Sequence, residues 1–169
     1  MPEQEDIGST SYNLTPYTGP WTKAEAAHLL RRTMFGATNQ QILDTVTNGM
    51  AATVTSLLQM PVTQPPIAYH PNETIATFNT PWVNNVYPTD PVQAQLVETA
   101  RQLSLGAWVM RRINSEQLTI SEKMCLFWQN HFAASPSPDA RATYEYHALI
   151  RSHALGNFRQ FVKDVTIDP

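Results

Sequence analysis

The chain has 169 residues, enough for one domain with a buried core and no disulfide or structural zinc to hold it. At 42% hydrophobic and 15% charged residues it excludes wholesale disorder, and a formal net charge of −3 gives no field suited to nucleic acid. One cysteine, Cys125, excludes an internal disulfide and every multi-cysteine metal site.

The first twenty residues carry neither a basic start nor an apolar stretch of signal-peptide length, and they read as a flexible segment, 1–20, ahead of a helical domain, 21–169. No window reaches the ~18 apolar residues of a membrane span, so no transmembrane segment is expected. Thr22 and Glu25 form a capping-box pattern that starts a helix near Lys23. Its apolar side is Ala24, Ala27, Leu30 and Met34, and it stops at Phe35-Gly36. Thr38 and Gln41 repeat the pattern for a helix running to about Asn48. A third spans Met50 to Gln59 and ends before Pro61.

Between Pro61 and Pro88 there are six prolines and no sustained period, which predicts a long irregular loop over 61–89 pinned to the helices by Tyr69, Phe78, Trp82 and Tyr87. Asp90-Pro91 supplies a cap and a proline at the first helical position. The helix it opens can exceed twenty residues, with Val92, Leu96, Ala100, Leu103, Ala107 and Met110 as its buried side. Gly106 weakens that helix by roughly 1 kcal/mol relative to alanine unless it admits another helix closely. Thr119 with Glu122 predicts the start of a helix buried in the middle of the core, since Ile120, Met124, Phe127, Trp128 and Phe132 leave it only a narrow polar strip. Ser137-Pro138 caps a helix reaching Leu155, Gly156 ends it, and Asn157 with Gln160 begins the last, whose buried side is Phe158, Phe161, Val162 and Val165. The expected fold is all-α: a compact bundle of six to seven helices with one long proline-rich loop.

Few side chains invite chemistry. His131 falls on the apolar side of the helix expected to be buried, where an imidazole needs a partner; a satisfied core histidine outweighs a ligand or an acid–base group. His147 and His153 stand six residues apart, at opposite margins of one helical arc, which does not match the spacing of helical metal ligands. His131, His147 and Glu122 are therefore weak metal candidates, and no metal, cofactor or catalytic residue is assigned. Cys125 lies in an apolar run and reads as packing. Arg31, Arg32, Arg111, Arg112, Arg151 and Arg159 suit carboxylate partners such as Glu98, Glu145, Asp164 and Asp168. Asn13 and Asn72 head short N-glycosylation patterns that arise often by chance.

Four phrases together resemble the start of the bacterial domain of unknown function 1800 family (DUF1800): AHLLRRTMFGAT (Ala27 to Thr38), EKMCLFWQNHFAAS (Glu122 to Ser135), IRSHALGNFR (Ile150 to Arg159) and the closing VTIDP. The family often has histidine where this chain has Gln129, a departure that weakens a metal reading around His131. The resemblance implies an N-terminal portion truncated at its C-terminus, with the missing C-terminal part of the same protein as first partner and another protein as second. It also implies an extracytoplasmic role, and it carries no catalytic residue, because the family's activity is unassigned.

Three functional readings stay open. The first is a non-catalytic scaffold or partner-binding segment of a larger protein, marked by exposed apolar surface on the last two helices. The second is part of a metal-assisted hydrolase, with His131 and His147 lining one wall of a site. The third is an envelope-associated carbohydrate-binding module presenting Trp82, Tyr69 and Tyr87 as stacking platforms, a reading that burial of Trp82 would sink.

Overall fold

A computed structural model describes residues 15–114, 117–132 and 138–167. Among them run seven α-helices: α1 (Lys23–Thr33), α2 (Asn39–Asn48), α3 (Met50–Leu57), α4 (Pro91–Ile113), α5 (Ser121–His131), α6 (Ala140–His153) and α7 (Phe158–Ile167). The only extended pairing among the described residues is an isolated bridge between Ile67 and Pro81. The fold is all-α, as the sequence predicts. Most of the segment expected to be flexible, residues 1–14, lies outside the described residues, as does Ser137.

Local chemistry sets most helix ends. Both capping boxes form: Thr22 accepts from the Ala24 N–H while Glu25 accepts from the Thr22 N–H, and Thr38 and Gln41 exchange bonds of 3.1 and 2.8 Å. Gly49 closes α2 at φ 82°, a left-handed value that favours glycine. Asp90 caps α4, Asp139 caps α6, and the Asn157 side chain accepts from the Gln160 N–H at the head of α7. The start of α5 departs from expectation. Thr119 is recruited by tertiary contacts: its hydroxyl donates to the Gln59 carbonyl (2.9 Å) and accepts from the Ser121 N–H (3.1 Å), while the Ile120 N–H donates to the Leu57 carbonyl (2.9 Å). The end of α3 is thereby fastened to the start of α5.

The core is divided in three. Leu30, Met34 and Leu57 pack α1 and α3 together with Ile42 of α2 and Leu118. Cys125, Ile150, Ala154 and Phe161 join α5, α6 and α7. Ala68, Ala76, Trp82, Leu105, Trp108 and Ala140 bring the proline-rich loop onto α4 and the start of α6. In α1 the buried alanine is Ala26, while Ala24 is exposed.

The orientations of α4 and α5 overturn the expectation. Val92, Leu96, Leu103 and Met110 are exposed, whereas Val97, Glu98, Arg101, Ser104 and Trp108 face inward. The reason is that the proline-rich loop supplies polar partners for the polar side of α4. Arg101 is fully buried; its guanidinium donates to both Glu73 oxygens (2.6 and 3.3 Å) and to the Asn85 carbonyl (2.9 Å), and it lies over the Trp82 and Tyr87 rings. Ser104 accepts from the Trp82 indole (2.8 Å) and donates to the Ile67 carbonyl (2.7 Å). Tyr87 bonds to Glu98 and Asp139 and has the Arg141 guanidinium on its ring; Glu98 in turn accepts from the first N–H of α6, at Ala140. Helix α5 is likewise not central: Leu126, Phe127 and His131 are exposed.

Burial alone would raise the Glu73 carboxyl, but bonds from Arg101 and from the Ala76 and Ile75 N–H groups hold it below the usual range. Replacing Arg101 by methionine strands that carboxylate in the interior. We expect a loss of about 3–5 kcal/mol in urea unfolding, with proteolysis appearing first within residues 61–89. Adding Glu73→Gln to Arg101→Met should cost less than the sum of the single changes; strict additivity would show that the two groups are not coupled.

Candidate functional site

The phrase ending at Thr38 and the phrase beginning at Glu122 meet in space. Between the α1–α2 turn, the end of α4 and the start of α5 lies a cavity of about 330 Å³, lined by Phe35, Thr38, Gln41, Arg112, Glu122 and Lys123 among others. Lys123 reaches across to cap α1, donating to the carbonyls of Arg31 (2.7 Å) and Arg32 (3.2 Å), where a cation also meets the negative end of the helix dipole.

Glu122 is the hub of this region. Arg151 grips its carboxylate with two nitrogens (2.6 and 2.9 Å), and the Nε of Arg112 approaches to 3.5 Å. All three side chains keep only 12–15% exposure, so the geometry is that of a forked, largely desolvated ion pair. The Arg151 guanidinium also covers the Trp108 ring at 5.3 Å. A carboxylate held this way is committed to its arginines. Of the cavity's other polar residues, Thr38 and Gln41 are engaged in the α2 capping box and Thr119 on Gln59. The cavity therefore reads as the seam between two helical units.

Behind the ion pair sits Cys125, whose thiol burial pushes up to about 11 and so keeps as an unreactive packing group. Next along is His147, whose Nδ1 lies 2.6 Å from the Gln129 amide nitrogen. Burial lowers its pKa, and the positive Arg151 lowers it further, so the ring is neutral at pH 7.

The metal candidates are not brought together. His147 faces Gln129, Glu122 faces its arginines, and His131 is exposed at the end of α5, stacked on Phe127 at 6.2 Å and edge-on to Trp128 at 5.7 Å. Among the described residues no group of three or more His, Cys, Asp or Glu is placed to hold a metal ion. The expected burial of His131 fails because its side of α5 has no neighbour within the chain as described. His153 instead pairs with Asp164 (2.9 Å) and stacks on Phe161, closing α6 against α7.

The carbohydrate platform also fails. Trp82 is fully buried with its indole N–H committed to Ser104, and Tyr87 is held between two guanidinium groups, leaving Tyr69 alone exposed. Sequence reasoning misses the Glu122–Arg151–Arg112 cluster, because it offers Glu122 as a weak metal candidate and sets the arginines against Glu98, Glu145, Asp164 and Asp168. The signal was present only as a carboxylate beside an apolar run, with arginines on two other helices.

Residues 28–169 match the model of a family described as Protein of unknown function (DUF1800). The match takes in most of the chain, which therefore belongs to that family. No curated protein and no solved structure matches it.

Because His147 is held neutral, the unfolded chain takes up its proton first. Stability should be unaffected by this group above about pH 6.5, its ordinary pKa, and should fall as the pH drops below that. Thermal melts at about pH 7.5 and 5.5 should show a smaller acid loss in His147→Gln than in the parent chain; an equal loss would remove this group from the account. His131→Ala, by contrast, should shift stability by less than about 0.5 kcal/mol, as expected of an exposed side chain in urea titration.

Proposed function

We propose that this member of the DUF1800 family serves as a scaffold or partner-binding segment of a larger protein, docking through its α5–α7 face. One observation carries the reading. Phe127 on α5 and Phe158 on α7 are 53% and 51% exposed, and Val162, one turn on from Phe158, is exposed at 36%. Both phenylalanines rest on Trp128, at 4.8 and 5.5 Å, so they form one aromatic strip rather than scattered surface residues. Beneath it the Trp128 indole N–H is fixed on the Ala154 carbonyl (3.0 Å), which gives the strip a rigid base. Contiguous apolar surface of this kind marks a contact with other polypeptide. Further polypeptide of the same protein is the partner we place there first, and a separate protein second.

No catalytic role enters the proposal, because the groups with chemical capacity around Glu122 are spent on one another. In-cell photo-crosslinking from an aryl ketone at Phe127 or Phe158 should give one discrete polypeptide adduct, and the same probe at exposed Gln40 on α2 should give none. Diffuse labelling at all three positions would overturn the reading. The triple variant Phe127→Ser/Phe158→Ser/Val162→Ser should retain a cooperative melt while losing the native chain's binding of a hydrophobic dye.

A further inference from the structure

Helix α4 turns a second, separate strip to solvent. Val92, Leu96, Leu103 and Met110 are exposed at 65%, 39%, 51% and 56%, and with exposed Thr99 and Gly106 and half-buried Ile113, which also lines the cavity, they follow one another at alternating steps of four and three. That alternation is how one side of a helix meets another helix along a seam. It runs for about 32 Å at the usual rise per residue. The Thr99 hydroxyl already donates to the Gln95 carbonyl (2.9 Å), so it brings no unmet donor to the strip. The charged residues of α4 are Glu98, Arg101, Arg111 and Arg112; the first two are buried, so the solvent side from Pro91 to Met110 carries no charge.

Gly106 sits at one of these positions. Glycine inside a helix is a poorer helix former than alanine, yet a Cβ built here meets nothing within 4 Å. Nothing in the chain as described requires a glycine at this point, whereas a second backbone drawn in close does.

We propose that the strip is a two-fold, antiparallel interface with a second copy of this chain, centred on Leu103. Reversing the strip about Leu103 sets Gly106 against Thr99, Met110 against Leu96 and Ile113 against Val92. Small meets small and large meets large, the self-complementarity that an isologous contact needs and that a contact with an unrelated partner does not. Charge agrees with the direction. The exposed Asp90 caps the N-terminal end of α4 and the exposed Arg111 lies near its C-terminal end. Antiparallel pairing sets each copy's basic end beside the other's acidic end and opposes the two helix dipoles, whereas parallel pairing would bring like ends together.

Sedimentation equilibrium on the 169-residue chain should show a reversible monomer–dimer equilibrium. Leu103→Glu and Leu103→Lys should each be monomeric, because each places like charges together on the axis, and an equal mixture of the two should regain a one-to-one dimer. Gly106→Gln should raise the melting temperature under dilute conditions, where a better helix former enters open space, yet weaken association at least tenfold. Mild oxidation should link Leu103→Cys to itself and Leu96→Cys to Met110→Cys, but not Leu96→Cys to itself; buried Cys125 is the internal control. A parent chain that stays monomeric at every concentration would overturn the proposal and assign the strip to a different polypeptide. Self-linking of Leu96→Cys would overturn it in favour of a parallel pair.

Discussion

The contact between Arg101 and Glu73 is the constraint on which the central third of the molecule depends. A guanidinium with no exposure at all must find its partners inside the protein, and every one of them comes from the proline-rich loop. That requirement fixes the rotation of α4 about its own axis. Once Arg101 points inward, Glu98, Ser104 and Trp108 follow it, and each finds a partner: Ala140 at the head of α6, the Trp82 indole, and the Gln64 carbonyl (2.7 Å). The cost is that Leu96 and Leu103 are turned outward, while Leu105 stays in the core. A buried ion pair is seldom worth more than apolar packing of the same volume, so its contribution here is one of specificity, selecting a single rotation for a helix that has an apolar side to offer in either direction.

This explains where sequence reasoning succeeds and where it does not. Helix starts and stops were legible because capping is local: Thr22 with Glu25, Thr38 with Gln41, Asp90 before Pro91 and Asn157 before Gln160 act within one turn of themselves. The face of α4 was illegible because it is decided by Glu73, 28 residues away in a segment with no period of its own. The same holds for α5. Its run of apolar residues reads as burial on all sides, but Cys125 and Trp128 are covered by α6 and α7 while Phe127 and His131 are not. Apolar spacing reports that a face is apolar, not what lies against it.

The candidate site follows the same logic. Glu122, Arg151 and Arg112 come from three helices and converge beside the residues that give the chain its family resemblance. Their role is to seat α5 between α4 and α6 and, through Lys123, against α1. The recognisable phrases are thus those that build junctions between helical units, which is why a family can be named from them although no reaction can. His147 was found by the sequence and Gln129 was noted as a departure, but that the two face each other needed the packing of α5 on α6.

The clasp between the end of α3 and the start of α5 has a consequence for the order of folding. Thr119 and Gln59 are 60 residues apart, and bringing such ends together costs about 4 kcal/mol of chain entropy before any contact is gained. Helices α1 to α3 need no such closure, since α1 packs on α2 and α2 on α3 across short turns. Residues 23–57 can therefore collapse early as a local unit, on the timescale of helix formation and short-loop closure. The arrival of α5 then sets Thr119 on the Gln59 carbonyl, Ile120 on the Leu57 carbonyl at the end of α3, and Lys123 on the last carbonyls of α1. Together with the 52-residue contact of Tyr87 with Asp139, this closure makes the long-range contacts, rather than the helices they join, the entropically costly part of the fold.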